Sequence, residues 1–252
     1  MNETLRDNYQ RVLERVREAE LHARRQPGEV RLMAVTKTVE EPVIAEAIEA
    51  GARLLGENRV QELARKRDAL FHPNETAVSP GSPDLADCEL HLIGHLQSNK
   101  TARAVACADM IQSVDSVRIA REISNECVKQ GKAMPVLLEV NIGRDPAKFG
   151  ILPEATEEAL AEIAAFPGIS VRGLMTVPPF SREGSQIRKF FSQMYRLFID
   201  IQGKKMDNIS EGAGCALDIL SMGMSGDFEL AIAEGSNLVR VGSAIFGERS
   251  YR

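Results

Sequence analysis

Lys37 is the first residue in the sequence whose position suggests chemistry. It follows the apolar run RLMAVT, and period-two alternation places it on the same face as Met33 and Val35. If that run is a strand in a closed barrel, neither face meets solvent, since one looks inward and the other lies under helices. A lysine there stands at the open rim or is partly desolvated. Partial desolvation favours the neutral amine, a nucleophile suited to imine formation with an aldehyde. Taken alone, Lys37 is more ordinarily a solvated lysine opening a loop, as most lysines are.

Arg240 adds to the case. In NLVRVGSAIFG, Val239 and Val241 alternate with Leu238, Arg240 and Gly242, so an arginine faces away from the apolar side. An inward guanidinium requires an anionic or hydrogen-bonding partner. Gly242 and Ser243 then open a short segment whose amides suit a phosphate, in the place barrels favour, after the last strands. The preceding run ends in SMGMSGD, where glycines and two serines, Ser221 and Ser225, offer further donors. Two adjoining phosphate-ready loops are a stronger signal than one, although phosphate sites occur in many barrels.

Other residues carry weaker signals. Asn58 closes RLLGEN and Asn141 closes PVLLEVN, where an amide could meet a ring substituent or serve as a helix cap. His91 and His95 have the spacing of a helical metal pair, but LHLIG reads as a strand, which separates them by roughly 13 Å. The sequence contains no GxxxxGK[ST] loop and no complete GxGxxG, which removes two common nucleotide-binding readings. Lys100 and Lys148 read as surface cations.

The elements that must position these residues follow a regular rhythm. An amphipathic helix from about Asn2 to Arg25 opens the chain, with Leu5, Tyr9, Val12, Leu13 and Val16 at three-to-four spacing. Then come RLMAVT, RLLGEN, LHLIG, MIQSV, PVLLEVN, ISVRGLMTV, ALDILSM and NLVRVG, all but the last followed by a long helix, including helices from Ser98, Ser116 and Pro153. Eight strands joined by crossover helices predict a single (β/α)₈ TIM-type barrel over residues 1–252, with an extra N-terminal helix. A doubly wound open sheet is the structural alternative. The irregular stretch HPNETAVSPGSPDLADC reads as an insertion between the second helix and third strand.

Hydrophobic residues at 44% and charged residues at 27% fit a soluble globular chain, with no apolar run long enough to span a bilayer. The net charge of −5 argues against nucleic-acid binding. Four scattered cysteines, Cys88, Cys107, Cys127 and Cys215, lack the spacing of a zinc or redox site. The charged amino terminus is no secretory signal, so the expected location is cytoplasmic, which sets aside sequons at Asn2, Asn74 and Asn208.

Read together, AVTKT at Lys37, GENRVQE at Asn58, HLIGHLQSNK, KFGI, RGLMTV, LSMGMSGDFELAI and VRVGSAIFGER run in an order spanning nearly the whole chain. They resemble the YggS/PROSC family of pyridoxal-phosphate homeostasis proteins, which share the fold of the alanine racemase amino-terminal barrel. The resemblance implies pyridoxal 5′-phosphate held as a Schiff base on Lys37, its phosphate on Ser225, Gly242 and Ser243, Arg240 against the cofactor, and Asn58 and Met222 lining the pocket. Leu90 departs from the family's usual aromatic residue, there is no tryptophan, and the insertion around Pro80 is long. These departures bear on the rim near the third strand.

A pyridoxal-phosphate racemase on the same barrel is the main alternative. It needs a second acid/base, which alanine racemases draw as a tyrosine from a separate β domain, and the sequence ends at Arg252, just past the last strand, so no second domain is expected. None of Tyr9, Tyr195 and Tyr251 follows a strand that could face Lys37. An arginine beside the pyridine nitrogen would also weaken the ring as an electron sink. A cofactor-free lysine enzyme such as a class I aldolase is a third reading. The expectation is a non-catalytic carrier, monomeric or weakly dimeric, in transient contact with apo-enzymes that use the cofactor.

Overall fold

Thr4 starts the first element. Its hydroxyl accepts from the Asp7 amide while the Asp7 carboxylate accepts from the Thr4 amide, a reciprocal cap for the free N–H groups of a helix start. Helix α1 (Leu5–His22) follows, with Tyr9, Val12, Val16 and Ala19 on its buried stripe. It stops short of the expected Arg25, because Ala23 leaves the helix and Arg24 turns left-handed at φ 59°. The computed structural model describes residues 4–71, 85, 87–179, 183–208 and 215–247. Asn2 and the stretch around Pro80 lie outside the described residues.

The chain then runs β1 (Arg31–Val35), α2 (Glu41–Glu49), β2 (Leu54–Glu57), α3 (Val60–Lys66), β3 (Glu89–Leu92), α4 (Thr101–Cys107), β4 (Met110–Val114), α5 (Val117–Gln130) and β5 (Met134–Glu139). It continues with α6 (Thr156–Ala164), β6 (Ile169–Met175), α7 (Gly184–Asn208), β7 (Cys215–Met224), α8 (Phe228–Ala233), β8 (Leu238–Val241) and α9 (Ser243–Phe246). The strands pair in parallel in chain order, and β8 closes on β1 with Leu238 opposite Arg31 and Arg240 opposite Met33. That closure makes the (β/α)₈ barrel and disposes of the open-sheet alternative.

Alternation along each strand sorts the core into two layers. Leu32 and Ala34 face outward into a continuous layer beneath the helices, while Met33 and Val35 join Leu54, Met110, Leu137, Met175, Ile219 and Leu238 in the barrel lumen. Burying a large aliphatic side chain contributes about 1.5–3 kcal/mol, so a one-residue slip in register would be costly.

Not every crossover is long. Helix α4 has seven residues and α8 six, while the seven of α3 run on into a π-helix at Arg67–Phe71. Only a 3₁₀ turn occupies Ser98–Lys100, where a helix start was expected, and another at Pro153–Ala155 precedes α6. Helix α1 packs against α8, α9 and α2, covering the flank that the short final helices leave open. This position accounts for the extra amino-terminal helix.

Candidate functional site

A cavity of about 630 Å³ opens at the carboxyl ends of the strands, within the range of small-molecule sites. Lys37 reaches it from just beyond β1, half-buried, on the same inner face as Val35. Asn58 follows β2, the strand beside β1, and lines the same cavity. Its backbone is crossed by the segment after β3 so closely that a Cβ on Gly94 would lie 2.2 Å from the Asn58 carbonyl oxygen. Only glycine permits that approach.

The other wall comes from the loops after β7 and β8. Gly223, at φ 96°, turns the end of β7 in a conformation that side chains disfavour. The Gly242 amide then donates to Ser225 Oγ at 3.1 Å, joining the two loops. In α9 the Ile245 and Phe246 amides return to the Gly242 carbonyl, so the Ser243 and Ala244 amides are those an anion could engage. Lys37, Asn58, Ser225, Arg240, Gly242 and Ser243 thus line one cavity. Met222, expected beside them, does not: it is fully buried in the layer under the helices. Alternation along β7 turns Ser221 inward and Met222 outward, and Met224 reaches the cavity.

Arg240 lies deeper than the phosphate-ready loops. It is almost fully buried, and its guanidinium donates to Ser221 Oγ at 2.6 Å and to the Thr176 carbonyl at 2.8 Å. Burial lowers its pKa to about 10, which leaves it charged at neutral pH. From Arg240 a polar chain descends the lumen. Ser221 Oγ meets Gln112 Oε1 at 2.8 Å, Gln112 Nε2 meets His91 Nδ1 at 3.0 Å, and His91 Nε2 meets Glu89 at 2.8 Å.

The direction of this chain follows from its far end. The His91 hydrogen bond holds the Glu89 carboxyl down at about 2, so it is an anion that must accept from Nε2–H. Burial keeps the His91 ring neutral, so Nδ1 accepts and Gln112 must present its amide nitrogen to it. Gln112 Oε1 then accepts from Ser221, whose oxygen accepts from Arg240. Three neutral groups are therefore oriented one way between a guanidinium and a carboxylate, an arrangement that strengthens each bond.

Glu139, at the end of β5, is a further titratable group of this interior. Burial first, and the Asp115 charge second, raise its carboxyl to about 7, against the opposing pull of Arg240 and Lys148. The remaining sequence candidates take other roles. The Asn141 side chain shapes its own loop through Asp145 and the Lys148 carbonyl, His95 bonds Asp115 and stacks on Phe149, and Lys148 donates to the Val177 and Pro178 carbonyls. Sequence reading offered Ser221 as a phosphate donor rather than as the partner of Arg240, and missed Gln112 and Glu139 in this interior. Period-two alternation gives the inward face of each, but not the strands they meet across the lumen.

The alanine racemase N-terminal domain model matches residues 5–250. The pyridoxal phosphate homeostasis protein of Aquifex aeolicus is 37% identical over 96% of this chain and 96% of its own length. That of Escherichia coli is 35% identical over 97% and 96%. PipY of Synechococcus elongatus, solved with PLP bound, is 33% identical, covering 94% of this chain and 100% of its own, with a TM-score of 0.75. Sequence and fold agree, and the chain belongs to the alanine racemase N-terminal domain family, among the pyridoxal phosphate homeostasis proteins.

Proposed function

We propose that this protein binds pyridoxal 5′-phosphate through a Schiff base on Lys37 and serves intracellular homeostasis of the cofactor rather than turnover. One observation carries the reading: Lys37, the buried Arg240 and the joined loops of Ser225, Gly242 and Ser243 share a single cavity. A primary amine, a fixed cation and a phosphate cradle match the aldehyde, ring and phosphate of one ligand. The burial of Arg240, against the more exposed Gly242 and Ser243, supports placing it at the ring and the loops at the phosphate. When bound, the cofactor supplies an electron-withdrawing ring, and a permanently charged arginine at its nitrogen discourages the protonation that racemases and decarboxylases exploit.

Support for the carrier role comes from the relatives' names and from the tyrosines. Tyr9 is buried in α1 and donates to the Gly51 carbonyl, and Tyr195 packs against Gly235, so neither lines the cavity. Tyr251 lies outside the described residues. Transient delivery to apo-enzymes and a monomeric or weakly dimeric state belong to the same proposal. Among the described residues no helix is long and apolar enough to cross a membrane, and the buried thiols of Cys107 and Cys127 suit the reducing cytoplasm.

Borohydride reduction after cofactor loading, followed by peptide mapping, tests the covalent reading. The phosphopyridoxyl mass is expected on Lys37 and lost in Lys37→Ala; its absence from all lysines, or its presence on another, overturns the assignment. Robust racemase or decarboxylase turnover abolished by the same substitution would overturn the carrier role.

A further inference from the structure

Outside the cavity, one cluster of charged groups converges on the backbone of Lys37. Lys66, the last residue of α3, is fully buried, as are Glu57 and Thr36. Its Nζ donates to Glu57 Oε1 at 2.6 Å and to the carbonyl of Thr36, the residue before Lys37, at 2.7 Å. Thr36 Oγ1 donates to the same Glu57 oxygen. One turn back along α3, Glu62 lies 3.7 Å from Lys66 Nζ and accepts at 2.9 Å from the amide of Thr38, the residue after Lys37. Both peptide groups that bracket Lys37 are therefore held by one ionic cluster with a buried core of Lys66 and Glu57 and a partly exposed Glu62, which also includes the residue before Asn58.

Stability does not explain this arrangement. Burying a lysine and a glutamate costs several kcal/mol per ion before pairing, and apolar replacements of similar volume are often neutral or better. The pairing is also incomplete: Glu57 Oε2 is buried without a hydrogen-bond partner among the described residues, and burial pushes the Glu57 carboxyl above its ordinary range. The cluster does hold Thr38 at φ 64°, a left-handed conformation that threonine adopts only under constraint. That turn ends the β1 direction and sets where the Lys37 side chain leaves the backbone.

We propose that Lys66, Glu57 and Glu62 form an ionic clamp, buried at Lys66 and Glu57, whose role is to fix the backbone of Lys37, making them positioning residues for the cofactor-binding amine. The inference rests on Lys37 being that amine. Lys66, enclosed and ion-paired, does not compete with it for an aldehyde.

The test uses the full chain and two variants. Lys66→Met/Glu57→Gln removes both buried charges together, avoiding an orphaned ion, and Glu62→Ala removes the Thr38 acceptor while leaving the buried pair intact. Pyridoxal phosphate titrations followed by visible absorbance are read beside thermal melts and hydrogen exchange at the Thr38 amide in the cofactor-free protein. The double variant is expected to melt cooperatively near the parent, with a Kd raised about tenfold or more and faster Thr38 exchange. Glu62→Ala is expected to show a Kd raised about threefold or more and the same faster exchange.

A merely structural cluster would move the melt and leave both other readouts alone. Kd values and Thr38 exchange within about twofold of the parent in folded variants overturn the clamp. Should the double variant not fold, Glu62→Ala decides alone. A parent protein that takes up no pyridoxal phosphate refutes the functional reading, and the clamp then stands or falls on Thr38 exchange.

Discussion

The two ends of the barrel each hold a cavity of several hundred cubic ångströms, yet they differ in how their charges are used. The amino-terminal mouth encloses about 740 Å³ among Arg31, Glu89, Asp109 and Arg172. Most ions in and around it are paired: Arg31 with Glu89, Arg67 with Asp109, and Arg172 in a two-pronged contact with Asp218. At the carboxyl mouth, Arg240 instead hydrogen-bonds a hydroxyl and a carbonyl, with the Glu139 and Asp227 carboxylates acting on it only through space. Cavity size does not mark the site. What sets the carboxyl mouth apart is a buried guanidinium held by neutral hydrogen-bond partners.

The largest expected break in this contrast is Arg240→Leu. It removes a charged hydrogen-bonding group from the cavity floor, so cofactor affinity should fall by about 30- to 150-fold, or about 2–3 kcal/mol, in an absorbance titration. Gln112→Leu acts at one remove. With Ser221 and His91 both losing a partner, unfolding free energy should fall by about 1–3 kcal/mol in a denaturant melt. Cofactor affinity should fall only about threefold to tenfold, because Arg240 keeps its bond to Thr176.

Glu139 sharpens the contrast through pH. Its carboxyl titrates at about 7 in the fold against an ordinary 4.5, so the folded protein retains a proton that the unfolded chain releases. Stability should therefore decline as pH rises from about 4.5 to about 7 and level off above. Glu139→Gln should remove that slope, giving a higher Tm than the parent at about pH 8 and no gain at about pH 4. The smallest effect belongs to the opposite mouth. Arg172→Ala should cost under about 1 kcal/mol and leave cofactor affinity unchanged, since it breaks a partly exposed pair that serves no ligand.

Much of the barrel was legible from local patterning. Period-two runs gave eight strands, and the same alternation placed Lys37 with Val35 and turned Arg240 inward, as the two core layers show. Helix lengths were less legible, because how much wall each helix must cover depends on its neighbours, and α1 covers what α8 leaves open. Met222 was assigned to the pocket by resemblance, but it packs under the helices, and Ser221 is the inward residue of that strand.

By itself the sequence determined the architecture and the chemically distinctive residues, because the face of a side chain is set by its own strand. Tertiary structure alone decided which of them meet. Glu89, His91, Gln112, Ser221 and Arg240 come from four strands and form a chain only when the barrel closes around a shared lumen. Lys66, in sequence one more lysine at a helix end, becomes a buried partner of the Lys37 backbone only because α3 packs beside β2. Closure and burial turn pattern into partnership, since hydrogen bonds and ion pairs depend on distances that local periodicity does not fix.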